Sequence, residues 1–102
     1  MIFHINISAT AVADLEAIHE YLSAFSADAA DRNYAAIKEA ALGLREFPRR
    51  YALAPESPKS TVELRNLTVG NYRIIYSIIM ESVNVWRVVH VARKELSPFE
   101  LS

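Results

Sequence analysis

From Val62 to Arg93 the chain alternates between apolar, β-branched runs and short polar breaks. The runs VELRNLTV, YRIIYSI and VNVWRVVHVAR are parted by Gly70-Asn71 and by the Glu81-Ser82 pair. Runs of this composition, bounded by turn residues at this spacing, predict an antiparallel three-stranded meander. Near the start, Phe3, Ile5 and Ile7 alternate against His4 and Asn6, the period of a short strand with one buried face.

Between these β segments the period changes. Val12, Leu15, Ile18, Leu22 and Phe25 recur at threes and fours, one stripe of a helix that Ser8 or Thr10 can cap. Asp14, Glu16 and Glu20 sit early or on its outer side, where the helix dipole favours negative charge near the start. A second stripe follows from Ser26 or Asp28: Ala30, Tyr34, Ile37, Ala41 and Leu44, with Phe47 close behind. Its many alanines permit close approach, which predicts an antiparallel helix pair. Pro48 ends the second helix, because the residue before a proline is pushed out of the α region. Residues 48–61, PRRYALAPESPKST, predict an ordered surface loop, and KELSPFELS after Arg93 a short exposed tail. The whole pattern predicts one α+β domain over residues 1–102, in the order β-α-α-β-β-β. Its antiparallel sheet combines the short first strand with the meander and packs on the two-helix hairpin.

Composition narrows the function classes. A chain of 102 residues with 52% apolar and 23% charged residues is ordinary for a globular domain. It has no cysteine, which excludes disulfides and thiolate metal sites and fits a reducing cytoplasm. The start MIFHINIS has neither the basic nor the apolar region of a signal peptide, and no run approaches the length that spans a bilayer. His4 and His19 show no ligand spacing, so no metal is expected, nor any cofactor. Charge is uneven: residues 1–48 hold three basic and seven acidic residues, residues 49–102 eight basic and five acidic, summing to −1. The β-rich half is the basic half. Either it meets an acidic partner or the two halves attract each other in the fold.

The apolar runs carry Arg65, Arg73, Arg87 and Arg93, followed by Lys94. A guanidinium is costly to bury and suits bidentate contact with carboxylate or phosphate. The sheet is therefore an internal ion-pair scaffold or a docking face for something acidic. Arg73 can grip a partner's anion or pair across the strand with Glu63, and a hairpin can bring Arg65 beside it. His90, the one histidine of the meander, has the pKa range of a general base or sits half-buried on a face with Trp86 and Val88. Trp86, Tyr72 and Tyr76 are base-stacking candidates or core aromatics.

Taken in order, these residues resemble the RelE/ParE superfamily of bacterial toxins, in particular its ParE-like branch. The resemblance rests on Ala13-Asp14-Leu15, Ile18 and Tyr21-Leu22, then Leu44, Phe47-Pro48, Arg50 and Pro55-Glu56. It is strongest at Arg65-Asn66-Leu67 and Val69-Gly70-Asn71-Tyr72-Arg73-Ile74-Ile75-Tyr76, followed by Val83, Val85, Val88, His90 and Arg93. The resemblance implies the toxin half of a type II toxin–antitoxin pair. ParE-like members inhibit DNA gyrase and stabilise plasmids; RelE-like members cut mRNA on the ribosome. It also implies a cognate antitoxin, a toxin–antitoxin hetero-oligomer, and DNA contact through the antitoxin. Arg65, Arg73, Arg87, Arg93 and Lys94 are then the expected antitoxin- or target-binding set. Under the ribonuclease alternative, Arg65, Arg73, His90 and Arg93 are the catalytic candidates. RelE-like cleavage uses a lysine and arginine cluster with a C-terminal tyrosine. Here the meander has no lysine, and Phe99 stands where that tyrosine is expected. The free chain is expected to expose an apolar patch along Val12, Leu15 and Leu22 or along the tail.

Overall fold

The computed structural model describes residues 2–101; Met1 and Ser102, the two ends of the predicted domain, lie outside the described residues. Serine caps open both long helices. Ser8 Oγ accepts the Ala11 N–H at 3.0 Å and starts α1 (Ala9–Ser23); Ser26 Oγ accepts the Ala29 N–H at 3.2 Å and starts α2 (Ala27–Gly43). Each cap satisfies a backbone donor that the first helical turn leaves without a partner. The buried face of α1 is Ala11 and Leu15, with Ile18 and Leu22 packed beside them. Val12 and Phe25, which the periodicity places on the stripe, are exposed. Ala11, with almost no side chain, brings the helix close to its neighbours, and Phe25 lies past the helix end. On α2, Ala30, Ile37 and Ala41 are buried, and Leu44 follows them into the core.

The four strands are β1 (His4–Ile7), β2 (Leu64–Val69), β3 (Tyr72–Ile79) and β4 (Ser82–His90), arranged β1-β4-β3-β2. The meander is antiparallel as expected, but the sheet is mixed: β1 pairs with β4 in parallel, Ile5 opposite Val83 and Ile7 opposite Val85. The direction follows from where β1 must deliver the chain. Its end at Ser8 stays on β4, the Ser8 N–H donating to Val85 O and Ser8 Oγ to Trp86 O. From there α1 begins directly over the part of β4 that β1 leaves unpaired. Alternation in a single sequence cannot distinguish a parallel from an antiparallel edge strand.

Two details of the meander differ from expectation. The second turn is Met80-Glu81, one residue earlier than the Glu81-Ser82 break, with Met80 in the left-handed region at φ 55°. Methionine carries no turn signal, so this position was hidden. In β4 the register shifts between Ile75 and Tyr76 of β3, so Arg87 lies opposite Ile75 and Val85 opposite Tyr76. The extra residue is Trp86. A bulge reverses the alternation beyond it: Val85 and Val88 share one core, while Trp86 and Val89 join the other.

The first core lies between the helices and the sheet and contains Leu15, Ile37, Leu44, Tyr72, Ile74, Tyr76, Val83, Val85 and Val88. The second, on the opposite face, joins Ala54, Leu64, Ile75, Val89 and Leu96, with Val62, Trp86 and Leu101 against it. The loop from Ala54 to Thr61 and the tail build this second layer, while Tyr51 packs on the first core. The loop contains two 3-10 turns, Pro48–Arg50 and Ser57–Lys59; the tail ends in one helical turn, α3 (Pro98–Leu101). The tail is therefore not a free end. Leu96 is 1% exposed, and burying a leucine contributes about 2 kcal/mol to holding it down. Phe47, between α2 and the loop, has φ 50° and ψ 50°, a conformation that costs a bulky residue about 1–3 kcal/mol.

Candidate functional site

Arg65, Arg73 and Arg87 of the strands and Arg93, just beyond β4, do not form one open basic face. Each is bound to a carboxylate of the same chain; the Arg73 and Arg87 pairs are enclosed, whereas the pairs of Arg65 and Arg93 reach the surface. Arg73 is the most enclosed, at 7% exposure. Its Nη1 donates to Glu56 Oε1 at 2.8 Å and its Nη2 to Glu56 Oε2, a bidentate pair; Asn66 Oδ1 accepts a further bond at 3.3 Å. Glu56 is wholly buried and accepts the Leu96 N–H at 2.9 Å. Burial pushes the Glu56 carboxyl up, and the bonds from Arg73 and Leu96 more than offset it, leaving it below its ordinary value. Glu56, not Glu63, is thus the partner of Arg73. Its place in a proline-flanked loop gave no sign that a strand arginine 17 residues away would bury it.

Arg65 stands opposite Tyr76 and Arg73 opposite Thr68, so the two point to opposite faces of the sheet and are not side by side. Arg65 Nη2 donates to Glu63 Oε1 at 3.0 Å. Its Nη1 donates to two loop carbonyls, Arg49 O at 3.2 Å and Tyr51 O at 2.6 Å. Arg87, opposite Ile75, bridges α1 and the tail: Nε and Nη2 donate to Asp14 at 2.7 and 3.0 Å, and Nη1 donates to Glu100 O at 2.6 Å. The bond to Asp14 raises the Arg87 pKa. Asp14 also accepts the Val88 N–H at 3.0 Å, a strand-edge donor beyond the end of β1. Arg93 pairs with Glu100 in the tail. The Ser97 N–H is the first cause holding the Glu100 carboxyl below its ordinary value, with Arg93 adding to it. Lys94 is exposed and makes no ion pair among the described residues.

The proton-transfer candidates are equally dispersed. His90 is exposed, not half-buried; it pairs with Tyr72 across the strands, their rings edge to face at 5.3 Å. The bulge separates it from Trp86. Its Nδ1 accepts the Ala92 N–H at 3.0 Å, so the neutral ring carries its proton on Nε2 and has no free lone pair for a base. Along β3, the partners of His90 and Arg65 are Tyr72 and Tyr76, four residues or about 13 Å apart. The tyrosines are structural: Tyr76 is fully buried and donates to Pro48 O at 2.6 Å, and burial pushes its phenol up to about 12. Trp86 Nε1 donates to Ser77 Oγ at 2.9 Å. Among the described residues no group of three or more histidines and carboxylates could hold a metal ion, and no helix is long and apolar enough to cross a membrane.

Exposed apolar surface falls partly where expected, at Val12 on α1 and at Phe99 in the tail. Leu15 is buried and Leu22 half-buried, whereas Tyr21 and Phe25 form an exposed edge-to-face pair at the end of α1. Phe47 and Phe99 are exposed at 75% and 87%.

Comparison with known proteins agrees with the order of elements. Residues 5–95 match the family described as ParE toxin of type II toxin–antitoxin system, parDE. Toxin RelE2 of Caulobacter vibrioides is 40% identical over 84 residues, which span 81% of this chain and 89% of that protein. The fold is also that of a chain of the chromosomal ParDE system of P. aeruginosa, with a TM-score of 0.74 and 20% identity over 88% of this chain and 97% of that one. A chain of the RelBE2 toxin–antitoxin complex of Mycobacterium tuberculosis superposes with a TM-score of 0.66 and 24% identity, covering 91% and 95%. The match over nearly the whole length, together with the paired helices and mixed four-stranded sheet, shows that this chain belongs to the ParE toxin family of type II toxin–antitoxin systems.

Proposed function

We propose that this toxin acts by binding rather than by cleaving RNA, with DNA gyrase as its target and a cognate antitoxin as its neutralising partner. One observation carries this reading: the groups a ribonuclease needs are apart and already engaged. Metal-free cleavage needs a base, an acid and cations converging on one phosphate. Here Arg73 is sealed against Glu56, Arg65 points from the other face, and His90 has its Nδ1 occupied. A gyrase inhibitor needs none of these; it needs a rigid surface that holds one state of its target more tightly than another. The enclosed pairs of Arg73 with Glu56 and Arg87 with Asp14 support that rigidity, and among the described residues Lys94 is the cation of the predicted binding set that makes no ion pair. The solved relatives come from toxin–antitoxin systems, which supports an antitoxin partner here.

Induced expression in a bacterial host tests the reading. The expected outcome is growth arrest with altered plasmid supercoiling and intact mRNA, unchanged by His90→Ala. Arrest with mRNA cleavage inside codons, abolished by His90→Ala, would establish the ribonuclease instead.

A further inference from the structure

Beyond α2 the chain carries its charge differently from the sheet. Arg49 and Arg50 are exposed and make no ion pair among the described residues. Each instead rests on an aromatic ring: the Arg49 guanidinium lies 5.8 Å from the centre of Phe3, and that of Arg50 lies 4.9 Å from the centre of Tyr51. Such stacking fixes a guanidinium plane while leaving its N–H edge available. With Phe3, Phe47 and Pro48 they line a groove of about 440 Å³. One wall is apolar and the rim is cationic.

This groove is held in place from beneath. Tyr76 donates to Pro48 O, and Arg65 donates to Arg49 O and Tyr51 O. Three backbone carbonyls are thereby drawn inward over 48–51. Phe47 keeps its left-handed backbone although its ring is 75% exposed and gains little from burial.

We infer that the Phe47–Arg50 groove docks an acidic peptide segment of a partner protein, an apolar side chain against Phe47 and Pro48 and carboxylates on Arg49 and Arg50. Carboxylates match the guanidinium fork and apolar anchors match the wall. A nucleic-acid strand fits less well: it needs a longer cationic track than Arg49 and Arg50 provide, and the neighbouring Arg45 and Glu46 cancel in charge. The inference rests on the antitoxin reading for the identity of the partner, but its test does not use the antitoxin.

The test is a titration of the isotopically labelled full chain, followed by amide chemical shifts. The probe is a twelve-residue peptide of Glu and Asp with one Trp and two Leu; its Gln/Asn counterpart is the control. The acidic peptide is expected to shift the amides of Phe47, Arg49 and Arg50, and the control to leave them unmoved. Arg49→Ala with Arg50→Ala should weaken binding by about tenfold while shifts elsewhere stay native. Phe47→Gly should also weaken binding yet raise Tm by about 4 °C, because glycine accepts the left-handed backbone without strain. Shifts centred on other surfaces, equal binding by the control, or no shifts at millimolar peptide would overturn the inference. So would a twelve-nucleotide DNA strand that moves these amides when the peptide does not. None of these failures would touch the growth-arrest result, so the two readings fall separately.

Discussion

At the scale of single residues, an arginine in an apolar run signals an anion but does not say whose. The structure answers with Glu56, Glu63, Asp14 and Glu100, and Glu56 matters most because it is wholly buried. Removing one member of such a pair leaves an uncompensated buried charge. Glu56→Gln is expected to cost about 3 kcal/mol, read from urea unfolding, and to expose the tail to protease, because the amide keeps one acceptor oxygen for the Arg73 and Leu96 N–H groups and turns a donor toward Arg73. The pH dependence has a definite sign. A carboxyl held below its ordinary value of 4.5 binds fewer protons when folded than when unfolded. Its contribution is therefore complete above about pH 4.5 and falls away as pH drops through the lower native pKa. Glu56→Gln should flatten that part of the acid unfolding curve; an unchanged acid limb would assign it to other carboxylates. None of this was legible in the sequence. The arginine stood out, but its partner was one glutamate among several, and only the folded loop selects it.

At the scale of elements, local pattern and local structure agree closely. Serine caps, helix periods and the Gly70-Asn71 turn fell where residue chemistry places them, since each depends on neighbours a few positions away. The local misses are small: Val12 and Phe25 lie off the buried stripe, α2 ends at Gly43 before Pro48, and the second turn is Met80-Glu81; the larger misses are long-range. Parallel pairing of β1 with β4 joins residues 78 positions apart, as the Asn6–Asn84 contact shows, and periodicity carries no direction. The bulge at Trp86 was equally hidden, because an apolar run of VNVWRVV reads as one strand whichever way each side chain faces. The bulge puts Arg87 opposite Ile75 on the tail side of the sheet, from where it reaches Asp14 of α1, which holds both its guanidinium and the Val88 N–H. Asp14 is thus the tie between the helix pair and the exposed half of β4. Asp14→Asn keeps an acceptor but loses the charge, and is expected to destabilise by about 2 kcal/mol. Faster hydrogen exchange at the Val88 amide should accompany it. Loss of stability without a change at Val88 would place the effect elsewhere.

At the scale of the molecule, the chain reads as a rigid two-sided sheet, helices on one face and a loop-and-tail layer on the other, clasped by Glu56 and Asp14. The family was legible from the sequence because its motifs run in order along most of the chain. The candidate site was not, because sequence drew attention to charge in the strands, whereas the fold spends that charge internally and leaves Phe47, Arg49 and Arg50 outside. The same internal pairing separates the groups a nuclease would have to unite. The most direct test is to add the purified protein, in parallel, to a gyrase supercoiling reaction and to ribosomes translating a defined mRNA. Binding without cleavage predicts that supercoiling stops as the protein reaches about stoichiometric amounts with gyrase, while the mRNA stays whole. Unimpeded gyrase alongside mRNA cut in the ribosome would contradict it.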